Sequence, residues 1–427
     1  MPLFVAVTII AAILGVPIVF ALMLGPMMGF FVEGQTAFLQ ISVQRIFAGI
    51  NQFPLLAVPL FILAGELMNA GDITRRLVAL SQVLVGHLRG GLAHINIMSS
   101  MLFAGLSGSA VADTSALGSM LVPAMERDGY TRQFATAVTA ASSIIGPIIP
   151  PSIIMIVYAY IMNVSVGALF AAGVVPGMLM GGSLMAMVAY LAKKHDFPKR
   201  EEKLTKREVV KATTDGIFPL LTPVIILGGI LFGIFSPTEA ASVAVVYALG
   251  LGLCLRVLKL QDLPEVLKRS ATTSSVILLV IGSASLFGWV LNIAGVPQAV
   301  AQLILGISDN PLMFLLLVNI LLLIVGMFLD AGPAILILGP ILGPTMIGFD
   351  ISPIHFAILM CVNLTIGLAT PPFGLVLFAA STISGLKVET IVKSMLPFYA
   401  VHAVVILLIT YVPAISLTLP RLLGFPV

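Results

Sequence analysis

Long apolar runs, interrupted by glycine and proline and almost free of charge, limit what this chain can fold into more than any other feature. Apolar side chains make up 59% of its 427 residues and charged ones 9%, against about 25% charged in a soluble protein. A water-soluble enzyme is excluded. A membrane-crossing helix needs roughly 20 apolar residues, so the apolar content suffices for about ten to twelve crossings; the mean hydropathy of +1.15 agrees. The runs are too long and too uniform for the alternating ten-residue segments of a transmembrane barrel. The chain therefore reads as an all-α polytopic membrane protein.

The 39 glycines and 27 prolines within it imply interrupted helices, which a bilayer tolerates only where protein or a cavity covers the irregular backbone. Cys254 and Cys361 lie far apart in apolar runs, a pattern that suggests neither a disulfide framework nor a metal site. The stretch Met1 to Phe30 has no basic n-region, and the first cation is Arg45, so it is expected to be a retained membrane segment.

Charge placement orients the chain. Of 21 lysines and arginines, eight fall between Lys193 and Lys211, and Arg256, Lys259, Lys268 and Arg269 follow; the positive-inside rule places both loops in the cytoplasm. Two apolar helices, about Ile217 to Phe235 and Glu239 to Leu255, return the chain to the same side. From Ser270 to Leu386 there is no lysine or arginine, so the loops near Asp309 and Asp350 are expected outside, with Lys387 and Lys393 marking a return inside. The mixed-charge segment 193–213 reads as a cytoplasmic loop and not as a nucleic-acid patch.

The segment 90–125 is flanked by cations at both ends, Arg75, Arg76 and Arg89 before it and Arg127 and Arg132 after it, while its middle reads LSGSAVADTS. Both ends look cytoplasmic, and too few apolar residues are present for two full spans. A re-entrant hairpin of two half-helices follows.

Self-comparison extends this pattern. A shift of 221 positions pairs Gly105 with Gly326, Ala110 with Ala331, Gly118 with Gly339, Pro123 with Pro344, Gly146 with Gly367, and Pro150-Pro151 with Pro371-Pro372. The partner of the first hairpin, 311–345, has only acids near its ends. The chain is thus expected to hold two repeats of inverted topology: 1–192, with its hairpin at 90–125 and a proline-broken helix at about 132–163, and 214–427, with its hairpin at 311–345 and a broken helix at about 354–385. Secondary transporters use this architecture, with the site near the midplane between repeats.

The candidate chemistry lies at the tips and breaks. Ser107, Gly108 and Ser109 precede one half-helix, and Asp330 stands as an N-cap before Ala331, Gly332 and Pro333 at the other. Proline removes a backbone donor, freeing carbonyls around Gly146 to Ile149 and Gly367 to Thr370. Such carbonyls, with Ser and Thr hydroxyls, suit sodium, while the N-termini of the downstream half-helices suit an anion. Glycine and proline breaks also serve close packing alone; two related breaks beside polar tips favour function.

Acids at membrane depth are costly and so become candidates: Asp113, Asp330, Glu66 and Glu239. For Asp113 a substrate or proton role competes with pairing to Thr114, Ser115 or backbone amides. Glu239 fits better as a helix cap in Ser236-Pro237-Thr238-Glu239, and Glu66 is within reach of a structural pairing with Arg45. Asn363 and Thr365, one turn before the second break, are polar enough to line a site. Together with Ser109 and Thr114 these make the substrate-contact candidates Ser109, Asp113, Thr114, Asp330, Asn363 and Thr365. The five histidines lack ligand spacing, and no Walker loop, acid-rich cluster or Gly-x-Ser-x-Gly elbow is present. An intramembrane enzyme using Asp113 and Asp330 is the reading from another class.

These residues resemble the large membrane subunit of TRAP (tripartite ATP-independent periplasmic) transporters over nearly the full length. The stretches that carry the resemblance are RIFAG at 45–49 with PLLAVPLFILAG at 54–65, the hairpin Ser107 to Gly118 with Pro123-Ala124-Met125, Gly146 to Ser152, and Ser236-Pro237-Thr238-Glu239-Ala240-Ala241. The resemblance implies a sodium-driven elevator-type importer of organic acid anions in a bacterial inner membrane. It also implies a small four-helix membrane subunit, expected as a separate polypeptide, and a periplasmic substrate-binding protein. Carried over by position, sodium would be held at Ser107, Ser109, Gly146, Ile149 and Pro150 in one half and at Gly326, Gly367 and Thr370 in the other. The first tip resembles sugar-acid and sialic acid members more than C4-dicarboxylate ones. A binding-protein-independent ion or anion transporter of related architecture is the alternative within transport.

Overall fold

A computed structural model describes all residues except 1–2, 71–72, 196, 198–204 and 308–309. Lys199, Arg200, Lys203 and Asp309, used above to orient the chain, lie outside the described residues. The described residues form helices and no strands, as expected where each backbone polar group must be satisfied within its own segment.

The first part runs through α1 (Leu3–Ile13), α2 (Ile18–Val32), α3 (Thr36–Ile50), a 3-10 turn (Phe53–Leu56) leading into α4 (Ala57–Ala70), α5 (Ile73–Val85), α6 (Gly91–Ser107), α7 (Ala110–Arg127), α8 (Arg132–Ser143), α9 (Ile153–Met162) and α10 (Val166–Lys194). The second runs through α11 (Lys206–Leu231), α12 (Pro237–Cys254), α13 (Leu263–Ile293), α14 (Val296–Ile307), α15 (Pro311–Phe328), α16 (Ala331–Gly348), α17 (Pro353–Gly367), α18 (Leu375–Ser384), α19 (Val388–Tyr411) and α20 (Ala414–Leu422). Among the described residues, eight helices are long and apolar enough to cross a membrane. Composition pointed to more crossings because it counts apolar residues in short helices as well; α8 with α9 and α17 with α18 divide their apolar length at a break.

Local chemistry fixes the helix ends. Ser109, Thr131, Ser152 and Ser165 each accept a hydrogen bond from a first-turn amide of α7, α8, α9 and α10. Capping boxes start α11, through Thr205 and Glu208, and α12, through Ser236 and Glu239. Glu239 is therefore a cap. α11 starts well before the apolar run at Ile217, because its capping box lets Lys206, Arg207 and Lys211 join the first turns as a solvated extension.

α2 and α3 pack on α13, α4 on α12 and α13, and α5 on α11. The hairpins and broken helices form a second group with crossed contacts: α7 packs on α8 and on α18, while α16 packs on α17 and on α9. Small residues let these helices close in. The two ends of the first hairpin meet beside the C-terminus of α10, where Tyr130 and Phe134 contact Phe197 at ring-centre distances of 4.9 and 4.7 Å. Phe134 also reaches Phe398 of α19 at 6.0 Å. The ends of the second hairpin meet through stacked Phe314 and Phe349, 4.8 Å apart, and the Tyr411 hydroxyl at the end of α19 donates to the Leu312 carbonyl. The ion pair Arg76–Asp215, 3.8 Å, joins α5 to α11. Arg45 stacks over Trp289, 5.1 Å from its ring centre, and none of the ion pairs among the described residues joins it to Glu66.

Candidate functional site

The first tip turns at Gly108, whose positive φ of 58° suits a residue without a Cβ. A Cβ there would also stand 3.3 Å from the Pro151 carbonyl oxygen, so the tip lies against the first break. Ser107 Oγ donates to Asp113 Oδ1, and the Ser109 amide donates to Ser107 Oγ at 3.3 Å. Asp113 is fully buried, and its second oxygen, Oδ2, meets no donor. That oxygen faces Gly146: a Cβ on Gly146 would lie 2.5 Å from it. Asp113 and Gly146, distant in sequence, are thus in direct apposition.

In the first break α8 ends at Ser143 and α9 resumes at Ile153. Ser152 Oγ donates to the Pro147 carbonyl at 2.6 Å and caps α9. Among the described hydrogen bonds none ends on the carbonyls of Gly146 or Ile149. They remain available as oxygen ligands. A small cavity of about 20 Å³, lined by Ser107, Gly108, Pro151, Met68 and Thr222 among others, sits where this tip meets the break. It has room for one water-sized occupant.

The second half is built differently. Gly326 of α15 and Gly367 of α17 touch backbone to backbone, since a Cβ on Gly367 would stand 2.6 Å from Gly326 Cα. The break between α17 and α18 is partly satisfied: Tyr399 Oη donates to the Ala369 carbonyl at 2.7 Å, and the Val376 amide to the Leu368 carbonyl at 2.9 Å. Thr370 Oγ1 donates back to Ile366. The Thr370 carbonyl accepts none of the described bonds. The Pro150-Pro151 and Pro371-Pro372 bonds are both cis.

Between the two tips lies a cavity of about 420 Å³. Ser109 approaches it from one hairpin and Asp330 from the other, and Pro147 and Leu368 bring both breaks to its wall. Asp330 Oδ1 accepts from the Ala331 amide at 2.8 Å, while the residue stays exposed to the cavity. The volume is in the range of small-molecule sites, and the lining is apolar with few polar groups, as such sites usually are.

The structure brings Ser109 and Asp330 together but places the other substrate-contact candidates inside helix packing. Thr114 and Thr365, both fully buried, donate to carbonyls of their own helices, Ala110 at 2.8 Å and Cys361 at 2.8 Å. Asn363 donates to Asn319 Oδ1 at 2.8 Å, and Asn319 donates to Thr410 Oγ1 at 2.9 Å. His355 extends this network through Ser416, 2.8 Å, and the Thr410 carbonyl. A matching network in the first half joins Asn96 to Thr139 at 2.6 Å and Ser100 to Ser142 at 2.8 Å. Polar residues inside otherwise apolar helices were the signal for both.

The cavity wall made by Val276, Ile277, Val280 and Ile281 of α13, with Pro17, Ile18 and Val19 at the start of α2, had no sequence signal. These side chains are indistinguishable from lipid-facing ones until the fold is known.

Residues 4–415 match the family model described as "Tripartite ATP-independent periplasmic transporter, DctM component". The sialic acid TRAP transporter large permease protein SiaM of Vibrio cholerae is 40% identical over 96% of each chain. The C4-dicarboxylate TRAP transporter large permease protein DctM of Pseudomonas aeruginosa is 41% identical over 89% of each. The isethionate TRAP transporter permease protein DctMQ of Oleidesulfovibrio alaskensis is 39% identical; the match covers 95% of this chain and 64% of that longer one. Among solved structures, the YdaH transporter of Alcanivorax borkumensis superposes with a TM-score of 0.62 at 13% identity, covering 91% of this chain and 90% of that one. That likeness concerns the fold alone.

Proposed function

Because the chain belongs to the DctM component family of the tripartite ATP-independent periplasmic transporters, and is therefore a transporter permease and not an enzyme, we propose that it is the large subunit of a sodium-coupled importer of an organic acid anion. It works in a bacterial inner membrane with a periplasmic substrate-binding protein and a small membrane subunit. The small subunit is proposed on the family to which the chain belongs. A sugar acid such as sialic acid is the favoured substrate and a C4-dicarboxylate the next, on the first-tip sequence Ser-Gly-Ser-Ala-Val-Ala-Asp.

The observation that carries this reading is the convergence of both tips and both breaks on one cavity. An anion there would stand close to the Asp330 carboxylate and be repelled unless a cation stood between them. Sodium held by the Gly146, Ile149 and Thr370 carbonyls with Ser107 and Ser109 would supply that charge, while the N-termini of α7 and α16 attract the anion. Pro150, Gly326 and Gly367 would shape these sites by freeing or admitting backbone. Binding of cation and anion would then be coupled.

Two inverted repeats, 1–192 and 214–427 about the linker 193–213, with re-entrant hairpins and elevator motion, complete the proposal. It is supported by the crossed packing of α7 on α18 and α16 on α9. Phe134, just after the first hairpin, meets α19 at its middle, Phe398, whereas Leu312 at the start of the second meets it at its C-terminal residue, Tyr411, roughly 20 Å away at 1.5 Å per residue.

The test is uptake into proteoliposomes holding both membrane subunits, with the binding protein outside. Accumulation of a sialic acid, a sugar acid or a C4-dicarboxylate should require an inward sodium gradient. Uptake indifferent to sodium, or needing no binding protein, would sink the proposal and favour a binding-protein-independent anion transporter.

A further inference from the structure

Outside the transport cavity, α10 and α19 enclose a second hollow of about 420 Å³, lined by Ser183, Met187 and Tyr190 on one side and Ala400, Val404 and their neighbours on the other. The hollow is open at the surface and almost wholly apolar, which alone would describe any lipid-facing seam. Its end is what sets it apart. Ser183, Met187, Tyr190 and Lys194 follow one another at four-, three- and four-residue steps, so the groove face of α10 leads to Lys194. On α19, Lys393, Ala400 and Val404 share one face at steps of seven and four. Phe134 touches both Phe197, just beyond α10, and Phe398 of α19, and from there the groove runs back along α10 to Tyr190 and Ser183 and forward along α19 to Ala400 and Val404, so the two helices run antiparallel and both lysines lie at the same end. Lys193, Lys194 and Lys393 are exposed, and none of the ion pairs among the described residues uses Lys194 or Lys393. By the positive-inside rule that end faces the cytoplasm.

We propose that this groove binds an anionic phospholipid of the cytoplasmic leaflet, with one acyl chain between α10 and α19 and the phosphate held at the end framed by Lys194 and Lys393. An apolar slot closed by a cation on each wall suits that molecule: the chain is matched by Met187, Ala400 and Val404, and the headgroup charge by the lysines. Basic recesses between helices on the cytoplasmic side commonly take such headgroups. Because α19 also packs on α8 and α10 on α17, an occupant would brace both broken helices.

The experiment is native mass spectrometry of the full chain in detergent, titrated separately with phosphatidylglycerol and phosphatidylcholine of the same acyl chains. Phosphatidylglycerol should bind at least several-fold more tightly to the wild type; equal retention of the two lipids would overturn the proposal without any variant. Lys194→Gln with Lys393→Gln should weaken phosphatidylglycerol roughly thirty-fold, at about five-fold per basic residue, and leave phosphatidylcholine unchanged. The control Lys259→Gln with Lys268→Gln removes equal charge elsewhere and should leave both lipids unchanged; a loss equal to that of the groove pair would refute a located site. Ala186→Trp, which fills the slot, should reduce both lipids. Inorganic phosphate at millimolar concentration should not displace the lipid, and displacement would refute the role given to the acyl chain.

Discussion

Replacing Gly146 with alanine tests the contact on which the first tip and first break depend. The new Cβ would lie 2.5 Å from Asp113 Oδ2, 3.2 Å from its carboxyl carbon and 3.2 Å from the Ser143 carbonyl oxygen. The closest approach is about 1 Å inside an ordinary contact of ~3.5 Å. Asp113 has little room to yield, being fully buried with its other oxygen held by Ser107. Overpacking of this kind costs about 1–3 kcal/mol. If the carboxylate turns away, the unmet Ser107 bond adds about 1–3 kcal/mol, for a predicted loss of about 2–6 kcal/mol. Gly182→Ala is the control, since nothing lies within 4 Å of its Cβ, and it should be neutral or slightly stabilising. The assay is the apparent Tm of the purified protein, read as the size-exclusion peak surviving heat. Asp113→Ala removes the clashing oxygen, so Gly146→Ala should cost much less in that background than in the wild type. The reasoning is refuted if Gly146→Ala keeps the wild-type Tm, or if its cost is the same with Asp113→Ala present, since contacting residues should be non-additive.

Gly367→Ala should be harsher than Gly146→Ala, because its Cβ meets the backbone of Gly326, which cannot rotate aside; folded yield should fall sharply, and normal yield would contradict the contact. Tyr399→Phe leaves the buried Ala369 carbonyl without its donor and should cost about 1–3 kcal/mol, seen as a lower apparent Tm. Ser236→Ala removes the cap of α12 and should cost about 1 kcal/mol, while Ser236→Thr should retain most of it. Asn319→Leu removes the acceptor of one Asn363 N–H, leaving only its bond to the Leu359 carbonyl, and the donor to Thr410 Oγ1, and should destabilise by about 1–3 kcal/mol; a stable variant would show the network to be dispensable.

Much of the architecture was legible because membrane helices leave few choices. The tip residues Ser107 to Ser109, the cap Asp330, the Glu239 cap and both proline breaks each follow from local rules about donors, caps and missing amides. The substrate-contact candidates lie in two kinds of place. Ser109 and Asp330 reach the cavity because each caps a helix at a chain turn, where a side chain is free of neighbours. Thr114, Asn363 and Thr365 are equally polar, yet they lie within helices whose packing absorbs their hydrogen bonds. Polarity in an apolar helix marks a buried partner as readily as a ligand.

The sequence alone determined that this chain is helical, membrane-embedded and interrupted at two related places, since a bilayer leaves backbone polar groups no partner outside their own segment. Only the tertiary structure decided that α7 rests on α18 and α16 on α9, that Asp113 faces Gly146, and that α13 closes the cavity. The reason is physical: in an apolar chain, hydropathy does not distinguish a face that meets lipid from one that meets protein. Only close packing around small residues such as Gly326 and Gly367 settles which faces meet.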